Sequence, residues 1–312
     1  MNSPHWRLPY LHWLRIATYG FVFIALLLLA RRVDAHQGGL FTPSDLWAHW
    51  KWNFALVVSL FVSTWLYAYG VSALRSQQVG VPGWQVAAFS IGIAALVVAF
   101  LSPLEALSGA LFSAHMGQHL LLTVVAAPLL ALGVSQLPLL ERISPGWRQQ
   151  FKRWQGNSVL RRSGYVLTLP MVAWIFHAGM IWVWHLPGLY QPALHNEFTH
   201  TLEHACLLGS GLVYWWAVHQ SGRNTQALAL LAMAIQVGLL GSLIAFSPTP
   251  WYPDYQITVP PWGLTPLQDQ HLAGLLLWLT AGGVYLGAMA SLLADWLRIR
   301  QRARLGERLS NP

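Results

Sequence analysis

Charge is what this chain has least of. Asp, Glu, Lys and Arg together make up 9% of its 312 residues, whereas a soluble globular domain carries about 25%. Lysine occurs only at Lys51 and Lys152. With 55% of the residues hydrophobic, so little charge excludes a soluble globular protein and a disordered chain. Cysteine is nearly absent as well. A single Cys206 excludes a disulfide framework, a CxxC redox pair and a thiolate metal cage. No tandem repeat or low-complexity tract is present.

Long apolar runs are abundant instead. A helix needs about 20 mainly apolar residues to cross the hydrocarbon layer, and it satisfies its own backbone there. Eight runs qualify: Ile16–Ala30, Asn53–Leu74, Trp84–Leu101, Phe112–Gly133, Tyr165–Leu186, Thr199–His219, Gln226–Phe246 and Ala273–Leu293. The expected fold class is therefore all-α, a polytopic transmembrane helical bundle of about eight spans. Its organisation reads as an N-terminal anchor or signal segment with an outer linker (1–45), a membrane bundle (46–297) and a basic tail (298–312).

The formal charge of +8 has a place in this scheme. Arg142, Arg148, Lys152, Arg153, Arg161 and Arg162 follow the fourth run, and Arg298, Arg300, Arg302, Arg304 and Arg308 follow the eighth. Placing these with Arg7, Arg15, Arg75 and Arg223 on the cytoplasmic side leaves only Arg31, Arg32 and Lys51 outside. Both termini then face the cytoplasm, and the basic segments contact anionic lipid headgroups and not nucleic acid. The first run is expected to be a retained anchor. Its alternative is a cleaved signal, because Val33-Asp34-Ala35 ahead of His36 has the form of a small-residue cleavage site; seven spans would then remain.

That topology sorts the 13 histidines by side. His5, His12 and His219 fall at the inner face and His177 falls within a span. His36, His49, His115, His119, His185, His195, His200, His204 and His271 fall at the outer face. His115 and His119 are four residues apart, so both imidazoles project from one helical face. His200 and His204 repeat that spacing at the same expected depth, with Glu203 beside them. An intramembrane acid marks a functional position by default. His185 ends the fifth run, and Asp269-Gln270-His271 precedes the eighth. The expected metal ligands are His115, His119, His200 and His204, with His185 as a fifth. Glu203 and Asp269 would accept hydrogen bonds from ligand imidazoles, and Gln270, His271 and His195 would support them. Imidazole with a carboxylate suits copper or zinc, and copper has the higher intrinsic affinity. Met116, Met171 and Met180 read as packing residues, and the tryptophans, among them Trp184, Trp215 and Trp216, read mostly as an interfacial belt.

Two other chemistries share these residues. His200-Thr-Leu-Glu203-His204 matches the HxxEH pattern of zinc peptidases, in which both His bind zinc and Glu is the base. A copper transporter would use the same outer histidines but would need further ligands through the membrane.

The blocks Phe112-Ser-Ala-His115-Met-Gly-Gln-His119 through Pro128 to Gly133, His185-Leu-Pro187-Gly-Leu-Tyr190 through His195, His200, Glu203 and His204 to Trp215-Trp216, and Asp269-Gln270-His271-Leu-Ala-Gly274 with Trp278 resemble a known family. It is that of the multi-span assembly factors for caa3-type cytochrome c oxidase (the CtaG family). A weaker block is Tyr67-Ala-Tyr-Gly70-Val. The resemblance runs over about residues 45–295 and leaves the N-terminal segment outside it. It implies a bacterial plasma-membrane protein, not an enzyme, that serves haem–copper oxidase subunits, with copper delivery as its expected task.

Overall fold

A computed structural model describes residues 42–49, 53–76, 78, 80–134, 162 and 166–310. The first apolar run, the Ala35–His36 junction, His5, His12 and His36, and all but Arg162 of the basic connection after the fourth run lie outside them. Among the described residues every regular element is helical.

Proline and short polar side chains set the helix boundaries. Helix α1 (Phe54–Arg75) begins where Asn53 Oδ1 accepts the Leu56 amide at 3.1 Å. Helix α2 (Gly83–Leu101) stops at Ser102, which is extended ahead of Pro103 because the proline ring crowds a helical predecessor. Ser102 then caps the short helix α3 (Pro103–Ala110). Helix α4 (Phe112–Val134) contains a π-helical stretch at Leu121–Ala126. Helices α5 (Pro170–Trp184) and α6 (Pro187–His195) are bent by 69° at a break, where Leu186 is extended before Pro187. Asn196 caps α7 (Glu197–Gln220) through the Thr199 amide, and α8 spans Arg223–Ala245. A reciprocal Thr265–Gln268 capping box with Pro266 in the first turn opens α9. This helix runs through Pro266–Leu275, a second π-helical stretch at Leu276–Ala281, and Gly282–Ser310.

Five of these helices (α1, α2, α4, α8 and α9) are long and apolar enough to cross a bilayer, and six candidates result if α5 and α6 form one broken span. The expectation of eight exceeds this for two reasons. One run lies outside the described residues. The other, α7, has 24 residues, which is long enough at about 1.5 Å per residue, but the imidazoles and carboxylate it carries lower its apolar content.

The bundle is apolar outside and locally polar inside. Phe61, Ile235 and Leu279 are exposed, whereas Gln118, Glu203, His204, Asp269 and Gln270 are buried. That inversion is what a lipid surround permits. Trp184, Trp215 and Trp216 are buried too, so these three belong to the core and not to an interfacial belt. Trp215 Nε1 donates to Thr123 O at 2.9 Å. A π turn offsets the helical hydrogen-bond ladder, and α7 reaches across to a carbonyl of that stretch.

Helices α8 and α9 touch backbone to backbone. A Cβ on Gly274 would lie 2.7 Å from the Gly241 carbonyl oxygen, and one on Gly241 would lie 2.8 Å from the Trp278 nitrogen. Small residues of this kind let membrane helices approach closely. Gly274→Ala is therefore expected to force the pair apart and cost about 1–3 kcal/mol of stability. Gly179→Ala on α5, where a Cβ meets nothing within 4 Å, should leave stability unchanged or raise it. Thermal unfolding of the two variants in detergent separates these outcomes.

Candidate metal centre

The centre is built by three helices that meet below the α3–α4 corner. Helix α4 brings His115 and His119 from one face, and α7 brings Glu203 and His204. His115 Nε2 and His119 Nε2 are 2.9 Å apart. The Glu203 oxygens lie 3.6 Å from His115 Nε2 and 3.4 Å from His119 Nε2. One ligand atom from each of His115, His119, Glu203 and His204 falls within 4.8 Å of the other three, and all four residues are buried. His200 and His185 flank this group. The His200 ring is centred 5.3 Å from that of His115, and the His185 ring is 5.4 Å from that of His119. His185, the residue that follows α5, thus reaches the centre just before the chain turns at Pro187.

Glu203 occupies a different place from the one its sequence context suggests. It sits among the imidazoles as a member of the four-residue group, with the rings of His115 and His119 against its oxygens. Sequence spacing shows only that Glu203 neighbours His204; that it faces α4 is decided by how α7 is rotated against that helix.

Asp269 also has donors other than imidazoles. Its carboxylate accepts the Phe112 amide at 2.7 Å and the Ser113 amide at 3.2 Å, and it takes a short bond from the Ser113 hydroxyl. These are the first turn of α4, whose own N-cap residue, Leu111, has no side chain able to accept. The amides of a helix start carry partial positive charge. Asp269 therefore caps α4 from another helix and fixes the height of the turn that carries His115. Gln270 accepts the Trp251 amide at 2.6 Å and donates to Thr249 O at 3.2 Å, which holds the loop after α8. His271 Nε2 bonds Ser247 O at 3.1 Å, and His195 Nε2 pairs with Asp254 at 3.2 Å. Both histidines tie loops together at a distance from the four-residue group. His49 has no described side chain.

Aromatic rings pack over the centre. The Tyr190 ring lies 5.0 Å from that of His115, Tyr190 and Tyr255 share a 2.9 Å hydroxyl bond, and Tyr252 donates to the His185 carbonyl at 2.8 Å. Tyr190 belongs to one of the sequence blocks that carry the family resemblance, whereas Tyr252 and Tyr255, from the segment after α8, stood in no sequence pattern. Beside these rings, Gln118 donates to Glu105 of α3 at 2.6 Å. Burial pushes the Glu105 carboxyl up to about 7, with the Gln118 bond lowering it and Glu197 raising it.

Helical spans enclosing an imidazole–carboxylate group define a polytopic membrane protein with a metal-type donor cluster. The chain belongs to the cytochrome c oxidase caa3 assembly factor family, whose family model matches residues 65–299. Among curated proteins it is similar to uncharacterised proteins of Mycobacterium bovis and Mycobacterium tuberculosis, each 24% identical over 76% of this chain. It is also similar to one of Mycobacterium leprae, 23% identical over 72% of this chain. The chain spans little more than a third of the length of those relatives, 36–37%. No solved structure matches it.

Asp269→Ala should leave two buried amides of α4 without acceptors and cost about 1–3 kcal/mol, whereas Asp269→Asn, which keeps one acceptor oxygen, should cost less; thermal melting in detergent gives the order. Glu105 supplies a pH test. Its carboxyl holds its proton to higher pH folded than unfolded, so its contribution to stability falls as pH rises from about 4.5 to about 7. Glu105→Gln should therefore gain stability relative to the parent above pH 7 and not below pH 4. Equal differences at both pH values would contradict the buried environment.

Proposed function

We propose that this protein is an assembly factor for a haem–copper cytochrome c oxidase and that it handles copper at the His115–His119–Glu203–His204 group. The observation that carries this reading is a fully buried carboxylate among imidazoles. Moving a carboxylate out of water costs several kcal/mol unless a counter-charge accompanies it, and the groups nearest Glu203 are imidazoles, those of His115 and His119 at 3.6 and 3.4 Å. Imidazole at neutral pH is mostly uncharged. A divalent cation held by three imidazoles and one carboxylate resolves the charge and uses the neutral rings as ligands. Nitrogen and oxygen donors without thiolate suit copper or zinc, with copper the tighter binder.

Family membership supports the process, and the donor set supports the cargo. The protein would sit in the bacterial plasma membrane with both ends cytoplasmic, present the centre near the outer face, and meet oxidase subunits and lipid there. It would act by holding and passing on an ion and not as an enzyme. The peptidase alternative requires His200 and His204 as the paired ligands with Glu203 as base. The geometry favours the assembly reading, because His200 lies outside the four-residue group and Glu203 inside it.

Purified protein in detergent should bind copper near one ion per chain. Changing His115 and His119 to Ala together should remove most of it, and changing His5 and His12 should not. Equal copper in both variants would refute the centre. In a strain lacking the gene, the oxidase should assemble with low copper and normal haem; full copper content and activity there would refute the role.

A further inference from the structure

Beneath the four-residue group lies a small cavity between the two π-helical stretches, lined in part by Met116, His119, Thr123, Ile181, His185 and Tyr285. Both π stretches contribute to it, with Thr123 from α4 and Leu277 and Ala281 from α9. π turns of this kind occur often at functional sites. Its polar groups are poorly accounted for by the rest of the fold. His185 Nδ1 donates to Ile181 O at 2.6 Å. That bond fixes the proton on Nδ1 and leaves the Nε2 lone pair as the ring's donor for a metal. His185 Nε2 is buried and has no hydrogen-bond partner. The same holds for His119 Nδ1, whose ring partner Nε2 is the atom against His115 and Glu203, and for the Tyr285 hydroxyl. Leaving such buried groups unmet is costly. Met116, which is 0% exposed, lines the same cavity.

We infer that this cavity is a second metal position, selective for a monovalent soft cation of the Cu(I) class, with His185 Nε2, Met116 Sδ and His119 Nδ1 as its donors. The inference rests on the reading of the four-residue group as a metal centre. The two donor sets differ in hardness and in charge. The upper set has a carboxylate and no sulfur, which suits a divalent ion. The lower set has a thioether, no carboxylate in its lining and few donors, which suits Cu(I). They share His119. A neutral imidazole has one lone pair, so His119 serves one position or the other at a time. The two positions thereby differ in the charge and softness of the ion each prefers. The residue that reads from sequence as packing, Met116, is on this account a ligand.

The test uses redox-inert probes on the full-length protein in detergent: Ag(I) for the monovalent ion and Zn(II) for the divalent one. Met116→Leu nearly conserves volume, a kind of exchange that cores tolerate. It should weaken Ag(I) binding at least tenfold and change Zn(II) binding less than twofold. His204→Ala should do the reverse. X-ray absorption of bound Ag(I) should show a sulfur neighbour in the parent that is missing in Met116→Leu, a readout that a general loss of fold would not mimic. Unchanged Ag(I) affinity in Met116→Leu, or a nitrogen-only Ag(I) shell in the parent, overturns the second position. Failure of the parent to bind Zn(II), or Zn(II) binding indifferent to His204→Ala, instead overturns the upper centre, so the two failures are distinguishable.

Discussion

A carboxylate buried in an apolar bundle is the constraint around which this molecule is arranged. Glu203 is fully enclosed, and its nearest charge-capable neighbours are imidazoles, with His115 and His119 at 3.6 and 3.4 Å and His204 in the same four-residue group. Everything nearby limits how those rings can move. His115 and His119 stand on one face of α4, the tyrosine rings lie against them, and α7 is locked to α4 through Trp215 and the Thr123 carbonyl. The Thr123 hydroxyl returns to the His119 carbonyl at 2.7 Å, so the residue whose carbonyl anchors α7 also braces the turn that carries His119.

The second constraint is the start of α4. A helix that begins inside protein leaves amides with nothing to bond, and Leu111 supplies no acceptor. Asp269 does so from a helix 157 residues further along the chain. That single contact couples α9 to the histidine turn. The glycine approach of α8 to α9 and the hold of Gln270 on the Thr249–Trp251 loop place Asp269 in turn. The Asp269-Gln270-His271 triplet therefore acts on the centre through backbone and not through the rings.

The helix breaks serve the same end. Pro103 ends α2 early and lets α3 cross beside α4, where Glu105 meets Gln118. Pro187 turns the chain by 69° immediately after His185, so that an imidazole at the end of α5 points into the bundle and α6 returns Tyr190 over it. The π stretches of α4 and α9 face one another across the cavity below. Each departure from a straight α-helix in this region lies beside a titratable or hydrogen-bonding side chain of the centre.

Much of this was legible in the amino-acid order. Scarce charge and long apolar runs specify an all-helical membrane bundle because lipid leaves the backbone no other way to pair its polar groups. The ends of α1, α2, α4 and α8 fall within a few residues of the apolar runs. Spacing by four along a helix likewise placed His115 with His119. What the sequence could not express is rotation and distance between helices. Whether Glu203 faces imidazoles or a ring N–H proton, whether Asp269 meets a side chain or a helix start, and whether His200 or His185 stands closest to the pair all depend on packing between residues tens to more than a hundred positions apart. Local periodicity carries no information about that packing, and side-chain fit in the bundle core decided it.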